Sequence, residues 1–268
     1  MPDPVGLAGC LAWHDASDAS TLYDATVGGS LVVADGTVAR WEDKSGGARH
    51  LLQATAANRP QRKTVIQNGY DCLLFDGTND VVSTSSNFPE TGNAEFSAFI
   101  VSKKLTAAKG ALYGWGEALV SLAAYGLYDD GSFRLYAFAG GNNFVIEQIG
   151  IVSFHLHSFL KSAGAISTTS TARKDKVNTA TSGHSATTPD IEARPLNVGI
   201  WSNYTSQGSV YYHGYVSELV IYDSKLSDVD RNRVEDYLFN KWIAAIPRKF
   251  EGGMFGGISG RMTGGMRS

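Results

Sequence analysis

One stretch limits what this chain can fold into more than any other: Gly214 to Trp242, GYVSELVIYDSKLSDVDRNRVEDYLFNKW. Its first half alternates as a strand does. Val216, Glu218, Val220 and Tyr222 face one way; Tyr215, Ser217, Leu219 and Ile221 face the other. Both faces are mostly apolar, as expected of a strand covered on both sides inside a packed sandwich. The second half changes period. Val234, Tyr237, Leu238 and Trp242 recur at helical spacing and form one apolar stripe that must dock on something. Ser227 is placed as the N-cap, with Asp230 three residues on completing a variant capping box. Asp228 and Asp230 suit the positive end of the helix dipole and Lys241 the negative end. Pro247 ends any continuation.

The rest of the chain reads as short strands between turns. Leu11 and Trp13 mark a first strand, and Val38 to Glu42 a second that runs into a Gly46-Gly47 turn. CLLFDGTNDVV reads as strand, Asp-Gly turn, strand. Glu95–Lys103, Val152–Leu160, Pro195–Trp201 and Val210–Tyr222 alternate well, and SFRLYAFAGGNNFVIEQIG reads as a hairpin with Asn142 and Asn143 at its tip. This pattern predicts an all-β, antiparallel jelly-roll sandwich with one C-terminal helix, not alternating βαβ units. At 268 residues and 43% apolar composition, one domain over residues 1–246 with a substantial core accounts for it, and residues 247–268 follow as an extended arm. A net charge of −3 argues against nucleic acid as a partner. No leader and no eighteen-residue apolar run stand out, so no membrane partner is expected either. Cys10 and Cys72 read as free thiols of a protein made in a reducing cytoplasm.

The segments LAWHDASD, VARWEDKSGG, QATAANRPQ, LLFDGTND, PLNVGI and the final strand-plus-helix resemble the concanavalin A-like, laminin-G-like jelly rolls of bacterial and phage proteins. The resemblance runs from about Leu7 to Trp242. It implies two antiparallel sheets, one of them concave, with loops at the rim. It also implies roles from lectin to glycosidase to plain structural module, so residues must decide among them.

Hydrolases of this fold place acids on alternate positions of one strand, because two carboxylates must flank a sugar bond. No such run occurs here; Glu95, Glu147, Glu192 and Glu218 are single acids among apolar residues. Phosphate loops, G-x-S-x-G, H-E-x-x-H and C-x-x-C motifs are absent as well, and the expectation is no enzyme. The sequence implies no cofactor, with calcium the one metal left open, since laminin-G-like domains hold it at a loop rim. Asp76, Asn79 and Asp80 are the candidate ligands, with Asp15 and Asp18 nearby in HDASD; the plain alternative is a turn whose side chains bond their own backbone. His155 and His157 alternate on one strand face and read as solvated residues of an open sheet. Carbohydrate binding needs exposed rings beside amides; Trp201, Asn203, Tyr204 and Tyr211, or Asn142 and Asn143, supply them.

The arm departs from the rest in composition. Residues 247–268 hold seven glycines and the spaced apolar residues Met254, Phe255, Ile258, Met262 and Met266. Arg248, Lys249, Arg261 and Arg267 against Glu251 give it +3, which leaves −6 on the remainder. A basic, Met-rich arm suits docking on an acidic surface. These readings together predict a non-enzymatic phage virion protein, displayed on the virion surface as a capsid decoration, fibre or tail-fibre module. Other virion proteins or copies of itself would be its partners, with host-surface glycan as a ligand. A soluble bacterial carbohydrate-binding lectin is the first alternative and a divergent glycoside hydrolase the second.

Overall fold

The computed structural model describes residues 3–117, 124–129, 135–137, 144–146, 153–179, 181–182, 186, 188–200 and 210–245. Eighteen strands are formed among them: β1 (Cys10–Asp15), β2 (Leu22–Tyr23), β3 (Arg40–Trp41), β4 (Leu51–Leu52), β5 (Gln61–Gln67), β6 (Tyr70–Asp76), β7 (Val82–Asn87), β8 (Phe96–Lys104), β9 (Gly110–Gly116), β10 (Ala124–Asp129), β11 (Leu135–Ala137), β12 (Phe144–Ile146), β13 (His155–Lys161), β14 (Ser170–Lys174), β15 (Val177–Asn178), β16 (Thr181–Ser182), β17 (Pro195–Val198) and β18 (His213–Tyr222). A single turn, α1 (Ile166–Thr169), and one longer helix, α2 (Asp228–Leu238), complete the described chain apart from short 3-10 turns and a π-helical turn, Phe239–Ile243, that extends α2. No helix among the described residues is long and apolar enough to cross a membrane.

The strands form two antiparallel sheets. The first runs β15-β14-β13-β8-β18-β6-β5, and the second β16-β12-β11-β10-β9-β17-β7-β4-β3-β2. Strand β18 is the axis of the first sheet. One edge pairs along its length with β8; the other pairs with β6 at His213–Val216 and with β1 at Glu218–Tyr222. Its sequence is apolar on both faces because one face packs between the sheets and the other under the C-terminal helix.

Two cores result. Between the sheets, Trp115 lies 4.9 Å from Phe88, 5.2 Å from Phe96 and 4.7 Å from Tyr125 (ring centroids), the tilted packing that buried rings favour. The hydroxyls of Tyr113 and Tyr125 are 2.9 Å apart, so neither is buried without a partner. On the outer face of the first sheet, α2 packs Val234, Leu238 and Trp242 over Val220, Tyr222, Phe99 and Val101. The stripe read from the sequence is the stripe that docks, and Trp242 is fully buried. Ser227 caps α2 as expected: its hydroxyl accepts from the Asp230 N–H at 3.1 Å and donates to the Asp230 carboxylate at 2.9 Å.

Three local expectations are corrected. Val216 joins Leu219 and Ile221 between the sheets, not Val220 and Tyr222 under the helix. A β-bulge between Val216 and Glu218 inserts one residue and reverses the alternation there. The Asp76-Gly77 turn does not close a hairpin: β6 belongs to the first sheet and β7 to the second, so the turn crosses the rim of the sandwich. The histidine pair is not solvated. His157 is buried, and His155 Nδ1 lies 2.7 Å from the Asp175 carboxylate, whose other oxygen accepts from the Leu156 N–H. Both cysteines are free thiols, Cys72 buried and Cys10 partly so.

Candidate functional site

The crossing turn builds a polar cavity with room for a ligand. Thr37, Ala56, Ala57, Arg59, Gln61, Leu74, Asp76 and Asp80 surround a pocket of about 240 Å³ at the rim. Two segments meet there. One is the connection from β4 to β5 (53–60), the other the turn from β6 to β7 (77–81). The Val81 N–H donates to the Asn58 carbonyl at 3.0 Å, and the Gln53 amide donates to the Val81 carbonyl at 2.9 Å. Arg59 laces the first segment to its surroundings. Its Nε, Nη1 and Nη2 donate to the carbonyls of Gln53, Asp24 and Ala54 at 2.9, 3.2 and 2.8 Å.

Glycine makes the turn feasible. Gly77 has φ +76°, and a Cβ there would fall 2.7 Å from the Cβ of His213. Gly199, at φ +95°, passes so close beneath that a Cβ would lie 2.6 Å from the Asp80 carbonyl and from the Phe75 ring.

The two carboxyl groups of the turn sit in different surroundings. Asp76 Oδ1 accepts from the N–H groups of Thr78, Asn79 and Asp80 at 2.7, 3.2 and 3.4 Å. Burial works against its charge, but these donors and nearby His213 prevail and hold the carboxyl below the usual range. Asp80 is 5% exposed; its Oδ2 accepts from the Asp76 N–H at 2.9 Å. Burial, reinforced by the Asp76 charge, pushes it up to about 6 despite that bond. Asp76 is therefore ionised where Asp80 still holds a proton, over the range below pH about 6. Asn79 completes the turn with a buried Oδ1 that has no hydrogen-bond partner among the described residues.

Of the candidate calcium ligands, one carboxylate oxygen each of Asp76 (Oδ1) and Asp80 (Oδ2) is drawn to backbone N–H groups. Asp15 and Asp18 are drawn to lysines: Lys241 reaches Asp15 at 2.8 Å, and Lys44 reaches Asp15 at 3.4 Å and Asp18 at 2.8 Å. Among the described residues no group of three or more His, Cys, Asp or Glu side chains is placed to hold a metal ion.

A second polar centre lies under α2 and is sealed. Glu218, fully buried, accepts from Lys241, from the Trp242 indole and from the Trp13 indole, each at 2.7 Å. Burial and the Asp15 carboxylate raise its pKa, while Lys241 and Trp242 oppose them. With Glu218 fully buried at its centre, this cluster welds the helix to the sheet.

Of the carbohydrate candidates, Tyr211 is half-buried and bridges Ala111 beside β9. Trp201, Asn203, Tyr204, Asn142 and Asn143 lie outside the described residues, as do Arg248, Met254, Phe255, Ile258, Arg261, Met262 and Met266 of the arm. Thr37, Ala56, Ala57, Arg59, Gln61 and Leu74 were not foreseen. Apart from Thr37, which bridges Gln61, their only sequence signal is that QATAANRPQ and LLFDGTND both carry the family resemblance; the pairing of Gln61 with Leu74 joins them.

No protein-family model matches the chain, and no curated protein matches it in sequence. Solved structures do match in shape. A Trypanosoma rangeli sialidase in complex with sialic acid is 14% identical at a TM-score of 0.55, with 86% of this chain covering 33% of that one. A mutant GH54 α-L-arabinofuranosidase soaked with 4-nitrophenyl α-L-arabinofuranoside is 14% identical at a TM-score of 0.61, with 88% of this chain covering 64% of that one. The chain thus spans about a third of the sialidase and just under two thirds of the arabinofuranosidase. The likeness bears out the two-sheet sandwich. It also corrects the functional expectation. The named neighbours are glycosidases, not virion proteins, which overturns the readings of a phage structural module and of a chain without enzymatic character.

Proposed function

We propose that this chain is a glycan-processing β-sandwich in which the rim pocket seats a sugar and Asp76 and Asp80 act as its carboxyl pair. The observation that carries the reading is the split between those two groups inside one cavity. Cleavage of a glycosidic bond calls for a carboxylic acid that keeps its proton close to neutral pH and for a second carboxylate that is ionised. Asp80 has the character of the first and Asp76 of the second. Support also comes from the neighbours, whose names are those of enzymes that act on glycosidic bonds.

The test is release of nitrophenol from a panel of aryl glycosides by the full chain. Asp80→Asn keeps the shape and the bond to the Asp76 N–H but cannot donate an acidic proton. Loss of a positioned acid costs about 10²–10⁴-fold in rate, so the variant should fall by that much. A second reading, sugar binding without cleavage, is favoured by the span of the match, which covers only a third of the sialidase. Titration with sugars would then give saturable binding and no release. Absence of both binding and release would refute the pocket as a sugar site.

A further inference from the structure

Two glycosidases that share the sandwich were solved with ligands of opposite character: sialic acid carries a carboxylate, and an arabinofuranoside is uncharged. The rim pocket has features that choose between them. Its charged groups are two carboxyls, Asp76 and Asp80, against one guanidinium, Arg59. The guanidinium is committed, because each of its three nitrogens already donates to a main-chain carbonyl. Three of its five N–H groups are thus used, which leaves one on each Nη for any further acceptor. An anionic sugar would therefore meet two like charges against one guanidinium most of whose donors are already used, in a site walled partly by protein.

The remaining wall suits an uncharged ring. Ala56, Ala57 and Leu74 give small, apolar surface for C–H faces. The Thr37 hydroxyl and the Gln61 amide have no side-chain partner among the described residues, and only one oxygen of Asp80 is bonded. Carboxylate and amide oxygens accept from sugar hydroxyls, which are donors wherever they point. At about 240 Å³ the cavity falls below the roughly 300–1,000 Å³ of sites that enclose drug-sized molecules, so it takes one ring and not an extended chain.

We infer that the rim pocket selects a single uncharged pentose or hexose ring and rejects sugars that carry a carboxylate, an inference that rests on the pocket being the sugar site. The experiment uses matched pairs that differ only in the carboxylate: methyl glucoside against methyl glucuronide, and methyl galactoside against methyl galacturonide. Methyl arabinofuranoside and methyl sialoside are added. Binding to the full chain is followed at pH 7 by saturation-transfer NMR and titration. The uncharged member of each pair should bind at least tenfold more tightly. Asp76→Asn combined with Asp80→Asn should shrink that ratio, since both like charges are gone. Ala57→Trp, at an exposed position, should fill the cavity and abolish binding while leaving the circular dichroism spectrum unchanged.

Uronides or sialosides that bind as tightly as the uncharged sugars would overturn the selectivity and leave the glycan reading standing. Binding that survives Ala57→Trp in a folded protein would place the sugar elsewhere and overturn the assignment to this pocket. If no sugar of either class binds, the underlying reading fails, and the inference with it.

Discussion

Glu218 shows how one residue's surroundings decide its role. On an open strand it would be a candidate catalytic acid; here it is fully buried, and two indoles and an ammonium consume its oxygens. Removing it takes one of two carboxylates from the partly buried Lys241 ammonium and leaves two indoles without an acceptor. Glu218→Ala should therefore cost about 3–5 kcal/mol, read from the urea midpoint. His14 gives a pH signature. It is fully buried, and burial lowers its pKa from 6.5 to about 4. The unfolded chain takes up this proton below pH about 6.5 and the folded chain only below about 4, so stability falls as pH falls through that window. The loss is on the order of 3 kcal/mol by the usual conversion of pKa shift to free energy. His157, lowered to about 3 by burial and by His155, acts in the same direction. Asp80, raised to about 6, gains protons on folding and partly offsets them. Urea midpoints measured from pH 7.5 to 4 should fall for the natural chain and fall less for His14→Leu. Equal slopes would remove His14 from the account.

At the scale of elements, α2 and its π-helical turn hold the outer core, and Trp242 is its largest fully buried ring. Trp242→Ala should cost about 3–5 kcal/mol in chemical denaturation. A different element supports the pocket. Gly199 lies under the crossing turn at positive φ, so Gly199→Ala adds backbone strain and a clash with Phe75 and the Asp80 carbonyl. Thermal unfolding should shift down, and sugar binding should weaken beyond what the lost stability explains. The helix was legible in the sequence because its cap, period and apolar stripe are all local and agree. The strand before it was legible as a strand, but not in its facing. A bulge is set by what the neighbouring strands require, and nothing at Val216, Ser217 or Glu218 announces it. The Asp76-Gly77 turn misled for a related reason. Asp-Gly between apolar runs signals a change of direction, and the runs pair with each other in a hairpin; whether they instead join different sheets depends on strands far away in sequence.

For the whole molecule, the fold class could be read from many short strands and one helix, but the candidate site could not. Its carboxyls were visible as Asp76 and Asp80, in a turn read as a metal site or as plain backbone scaffolding. Arg59, Gln61 and Thr37 become its neighbours only when the two sheets close around a common rim. A search for alternating acids along one strand misses a pair held four residues apart by a turn. The proposed glycan-processing role therefore rests on Asp80 working as the acid and Asp76 as the ionised carboxylate in that pocket. The most direct measurement is the pH–rate profile for aryl glycoside hydrolysis by the full chain and by Asp80→Asn. His213→Gln is run alongside to remove the other titratable side chain beside the pair. The account predicts a rate that falls as pH rises through about 6, where Asp80 gives up its proton, and predicts that this limb persists in His213→Gln and disappears in Asp80→Asn. A profile with no inflection near pH 6, or one unchanged by Asp80→Asn, would contradict it.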